Sequence, residues 1–107
     1  PLKTTKIGAE PKIFLAQLGI LAKKKSLKIL EEFRKVKIPV GESLSKDSLK
    51  TQLRTANKMG VKYVLIFGQK EALDEEIVVR DMDSGVQETI KLQDAVEEMK
   101  KKLKEIK

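Results

Sequence analysis

The sequence predicts a single α/β domain on a five-stranded mixed β-sheet with three α-helices, in the order βαβαβββα. Three observations carry this expectation. The chain has 107 residues, enough for one modest core and too few for two independent ones. In its first two thirds, short apolar runs alternate with amphipathic stretches, the pattern of crossover units that demand parallel pairing. Two more strand-like runs then flank a glycine-containing turn, which adds antiparallel strands.

Each element has its own signal. Residues 1–11 show no apolar period, carry Pro1 and Pro11, and open on Pro rather than Met. They are expected to be a linker or cut end of a longer protein, with the domain over 12–107. Ile13 to Leu18 is a nearly continuous apolar run closed by Gly19, as in a strand covered on both faces. From about Leu21 to Lys37, Leu27, Ile29, Leu30, Phe33 and Val36 recur at helical spacing between charged residues, which predicts an amphipathic helix. Pro39 ends it, and Ile38 to Glu42 reads as a short edge strand, where a missing amide donor is tolerable.

Ser45 is the expected N-cap of a second helix over about 46–59, with Asp47 in its first turn, Leu49, Leu53 and Ala56 on one face and Gly60 as C-terminal cap. Val61 to Phe67 predicts a buried strand stopped by Gly68, followed by a polar turn through Asp74. Ile77 to Met82 and Val86 to Leu92 flank Asp83-Ser84-Gly85 as a hairpin. Asp94 is the expected cap of a last helix with Val96, Met99, Leu103 and Ile106 on its buried stripe, and Lys100, Lys101, Lys102 and Lys104 near the negative end of its dipole.

Composition narrows the chemistry. Hydrophobic residues make up 40% and charged residues 36% of the chain, too apolar for a disordered tail and too charged for a membrane protein. No apolar run approaches the roughly 18 residues of a membrane span, and the cytosol is the expected compartment. With no Cys and no His, disulfides, thiolate nucleophiles, imidazole bases and most transition-metal sites are excluded. The net charge of +7 is uneven: residues 1–70 hold 16 Lys/Arg against 5 Asp/Glu, while residues 71–107 hold 7 against 11. Such a distribution suits a polyanionic partner, and equally a lysine-rich chain with solvated helix faces.

Few constellations suggest catalysis. Asp81-Met82-Asp83-Ser84-Gly85 starts like a calcium loop, but its glycine falls one place early and no closing Glu follows, so a hairpin turn is the better reading. Glu71, Asp74, Glu75 and Glu76 with Asp81 and Asp83 would suit Mg²⁺ in a small phosphoryl-transfer enzyme, yet acids in a polar turn are ordinarily solvated. No phosphate-binding glycine loop occurs. Lys23-Lys24-Lys25 either meets phosphates or forms a solvated face. Phe14, Phe33 and Phe67 lie in apolar stripes, leaving only Tyr63 as a partly exposed ring. No catalytic residue and no metal ligand is assigned.

One ordered set of motifs is more specific. A helix of the form L-x-x-Q-x-x-x-A-x-x-x-G comprises Leu49, Gln52, Ala56 and Gly60; a strand exit G-x-x-E comprises Gly68 and Glu71; and V-R-D-M-x-x-G-x-Q runs from Val79 to Gln87. Over residues 12–104 the chain resembles the C-terminal anticodon-binding domain of class II aminoacyl-tRNA synthetases, most like that of histidyl-tRNA synthetase. The resemblance implies a mixed-sheet domain that grips the tRNA anticodon stem-loop, that of a histidine tRNA. ATP, Mg²⁺ and aminoacylation would belong to a separate catalytic domain, and the full protein would be a homodimer. This chain alone would need no cofactor and would not activate an amino acid.

In that family the Glu of G-x-x-E and the Arg of V-x-V-R contact anticodon bases, and residues at the start of the second helix contact the loop. By motif match these are Glu71, Arg80 and Lys46, with Glu71 and Arg80 at adjoining strand ends. Lys50 and Arg54 complete the expected RNA-binding set, Lys50 acting alike on all RNAs. A different expectation remains open: a synthetase-like interaction or regulatory module that binds protein or generic nucleic acid.

Overall fold

The computed structural model describes residues 11–42 and 48–105. Over them the chain forms β1 (Ile13–Gln17), α1 (Ile20–Lys35), β2 (Val40–Glu42), α2 (Leu49–Met59), β3 (Tyr63–Phe67), α3 (Gln69–Asp74), β4 (Glu76–Asp81), β5 (Gln87–Lys91) and α4 (Ala95–Lys104). A 3-10 turn, Leu92–Asp94, leads into α4. The strands make one mixed sheet in the order β2-β1-β3-β4-β5. Strand β1 runs parallel to β2 and β3, and the pairs β3–β4 and β4–β5 are antiparallel.

Alternation along the strands sends side chains to two cores. On one face Ile13, Leu15, Leu65, Phe67, Ile77 and Val79 pack against Ala22, Ile29 and Phe33 of α1, Ala72 of α3 and Met99 of α4. On the other, Phe14, Ala16 and Val64 pack against Ala56 of α2 and Val61.

The expected architecture gains one element, the six-residue α3, where the sequence reads as a polar turn. A long-range contact holds it. Lys25 Nζ donates to Ala72 O at 2.8 Å and pairs with the Glu75 carboxylate, capping the C-terminal end of α3. That pairing, through a hydrogen bond and charge attraction, holds the Glu75 carboxyl below its ordinary range.

Four local expectations shift. The buried stripe of α1 is Ala22, Ser26, Ile29 and Phe33, whereas Leu27 is 69% exposed and Val36 39%. Small residues at 22 and 26 let the helix approach the sheet, and Leu27 lies one residue around from that face. Helix α2 starts at Leu49 with Ser48 as its N-cap, whose Oγ accepts from Thr51 N at 3.2 Å. Ser45 and Asp47 lie outside the described residues. Tyr63 is buried, because odd-numbered positions of β3 face α4, and the ammonium groups of Lys62 and Lys102 lie 5.9 and 5.7 Å from the centre of its ring. Asp94 occupies the N-cap position of α4 without a side-chain capping bond, and the first turn carries Glu97 and Glu98 instead. Ile106 lies outside the described residues. Gly60 and Gly85 have φ of 74° and 78°, left-handed conformations that suit a helix cap and a tight turn and that few other residues adopt.

Candidate nucleic-acid interface

Among the described residues α2 is the only helix on its side of the sheet, and it packs over β1 and β3. Among the described residues the same face of β4 and β5 carries no helix. There the register sets Ile66, Val78 and Thr89 in one cross-strand row and Val64, Arg80 and Gln87 in the next. Ile66 and Val78 are half-buried, and Gln87 and Thr89 are exposed. The result is a shelf of half-buried apolar side chains on β3 and β4 bordered by exposed polar residues of β5.

Arg80 sits on this shelf without a counter-charge. Its Nη1 donates to Gln87 Oε1 at 3.0 Å, and among the described residues it makes no salt bridge. Its Nε is enclosed and has no hydrogen-bond acceptor. A half-buried, unneutralised guanidinium is costly for the free protein and well suited to an anionic or acceptor-rich ligand.

Lys50, Arg54 and Lys58 recur every four residues and are all exposed, forming one stripe on the solvent side of α2, opposite buried Gln52 and Ala56. None of the three has an acidic partner among the described residues. Lys58 extends the pair expected from the sequence; its four-residue spacing from Arg54 was the available signal. Lys46 lies outside the described residues.

Glu71 is half-buried, and its Oε1 accepts from Gly68 N at 2.9 Å, which caps the start of α3. The register separates it from Arg80. Arg80 is the partner of Val64, four residues before Gly68, roughly 13 Å along the strand. Because β3 and β4 are antiparallel, the two groups stand at opposite ends of the pair rather than at adjoining strand ends.

The acids of the hairpin are engaged within the protein. Asp81 Oδ1 accepts from Asp83 N at 2.9 Å and Ser84 N at 3.1 Å, and Asp83 pairs with Lys62. The backbone hydrogen bond from Ser84 above all holds the Asp81 carboxyl below its ordinary range. Among the described residues no group of three or more His, Cys, Asp or Glu is placed to hold a metal ion. No described helix is long and apolar enough to cross a membrane. Within the Lys23-Lys24-Lys25 run, Lys25 is taken up by α3, while Lys23 and Lys24 are exposed.

Comparison with known proteins decides the family. The model of the anticodon binding domain matches residues 12–102. The chain belongs to the anticodon-binding domain family. It is 37% identical over 94 residues to the histidine–tRNA ligase of Pyrococcus furiosus, covering 88% of this chain and 22% of that protein. With the histidine–tRNA ligase of Syntrophotalea carbinolica it shares 35% identity over 83 residues, 78% of this chain and 20% of the relative. The chain thus spans about a fifth of the length of these curated relatives. Among solved structures, the histidyl-tRNA synthetase of a Nostoc species superposes with a TM-score of 0.81 at 26% identity, over 88% of this chain and 23% of that one. The RNA binding domain of threonyl-tRNA synthetase from Cryptosporidium parvum gives a TM-score of 0.77 at 16% identity, covering 86% and 23%, a likeness of fold alone. In this anticodon-binding domain the motif residues Gln52 and Gly60 are structural, Glu71 caps α3, and Arg80 and Gln87 meet on the open shelf.

Proposed function

We propose that this domain grips the anticodon stem-loop of a histidine tRNA as part of a cytoplasmic, homodimeric histidine–tRNA ligase. The ATP- and Mg²⁺-dependent aminoacylation would lie in a separate catalytic domain. The observation that carries the reading is Arg80, a half-buried guanidinium that, among the described residues, has no acid partner and lies on a sheet face no helix covers. Single-stranded RNA loops offer both the phosphate charge and the splayed base edges that such a group recognises.

The roles divide by chemistry. Arg80 reads a base edge, Lys50 and Arg54 neutralise phosphates along α2, and Lys46 meets the loop. Glu71 keeps one oxygen on Gly68 N, and its remaining lone pairs can accept from a base amino or imino group. Given the register, Glu71 and Arg80 address different nucleotides. A second reading, a module that binds protein, draws on Ile20 and Leu27 of α1, which are 78% and 69% exposed. Titrating the chain with a histidine tRNA anticodon stem-loop and an unrelated hairpin at matched salt separates the two. Preference for the anticodon loop supports the tRNA reading, and equal or absent binding refutes it.

A further inference from the structure

We infer that Gln87 is a positioning residue that sets the plane of the Arg80 guanidinium and thereby selects guanine over adenine in the bound loop. This inference rests on the anticodon-binding reading above. Gln87 and Arg80 are directly opposed across the β4–β5 pair, so their side chains stand on the same face. Gln87 Oε1 is the one hydrogen-bond acceptor of the guanidinium among the described residues. It takes a single Nη1 proton. Nε is enclosed, which removes the side-on mode in which Nε and Nη2 donate together.

What remains is an end-on fork made by the second Nη1 proton and Nη2. A Cβ at Gly85 would still stand 4.0 Å from Nη2, so the turn does not crowd that nitrogen. An end-on fork fits two adjacent acceptors on one base edge, which guanine presents as O6 and N7, whereas adenine presents an acceptor beside a donor. A neutral amide suits the orienting task. A carboxylate there would orient the guanidinium equally and also cancel its charge, weakening attraction to RNA.

The test uses the 107-residue chain as wild type, Gln87→Leu and Gln87→Glu. The two probes are the histidine tRNA anticodon stem-loop and the same stem-loop with its anticodon guanines replaced by adenine. Wild type should prefer the guanine loop by roughly tenfold or more, the discrimination of a bidentate contact. Gln87→Leu should bring the two loops to near equality. Gln87→Glu should keep the preference while binding both loops more weakly. In parallel, ¹⁵N relaxation of the Arg80 side chain without RNA should show lower order in Gln87→Leu than in wild type or Gln87→Glu. Unchanged Arg80 order in Gln87→Leu, or an unchanged loop preference, overturns the role of Gln87. If wild type binds both loops equally, guanine selection fails, the anticodon reading is judged separately by the unrelated hairpin, and the Arg80 order then decides the orienting role alone.

Discussion

The side-chain amide of Gln52 pairs with the backbone of Gln17 as a neighbouring strand would: its Oε1 accepts from Gln17 N at 3.0 Å and its Nε2 donates to Gln17 O at 2.9 Å. Among the described residues β2 pairs with β1 from Ile13 to Leu15, and none of them pairs as a strand with the outer edge of Gln17. Gln52, itself buried, supplies both bonds from α2 and ties that helix to the sheet.

Gln52→Leu should therefore destabilise the fold by about 1–3 kcal/mol, because it leaves a partly buried backbone N–H and C=O unpaired. Urea unfolding of the variant should give a lower midpoint at an unchanged slope. A midpoint equal to that of wild type would show that the clamp contributes nothing.

Much of this fold is legible in the sequence, and the gaps have physical reasons. Local signals sufficed for β1 and β3, whose apolar runs end at glycines, and for the turn at Gly85. The start of α2 was not legible, since Ser45 and Ser48 are both good caps by type and the described geometry shows Ser48 bonded to Thr51 N. Helix α3 is not legible because Lys25, some fifty residues away in sequence, holds its end. The exposure of Leu27 depends on small residues facing the sheet, which an apolar period does not weigh. The candidate site was legible as motif residues, but the distance between Glu71 and Arg80 follows from strand register, which the motifs do not encode.

The hairpin tip should respond to acid. A carboxyl held low in the folded state contributes stability that is present above its unfolded value and lost as pH falls through the folded value. Asp81 is such a group, held chiefly by the Ser84 N–H. Amide hydrogen exchange at Ser84 should quicken, relative to the core, as pH drops below the ordinary aspartate range, and Asp81→Asn should remove that dependence. A Ser84 amide equally protected on both sides of that range would refute the assignment.

Lys50→Ala should weaken binding to every RNA by a similar factor and should reduce the slope of log affinity against log salt by about 0.7, the value for one lost phosphate contact in single-stranded RNA. Titrations of the anticodon loop and an unrelated hairpin at several salt concentrations check this. A loss confined to the anticodon loop would move Lys50 from backbone to base contact.

The central claim is that Arg80 reads bases rather than phosphates, and its most direct measurement is the affinity of Arg80→Ala for two loops. One is the histidine tRNA anticodon stem-loop, the other the same loop with substituted anticodon bases, with melting temperature followed to confirm folding. The loss against the first should be about 1–3 kcal/mol, with binding to the second nearly unchanged, since lost base contacts discriminate and lost phosphate contacts do not. A folded Arg80→Ala chain that still distinguishes the two loops as wild type does would contradict the account.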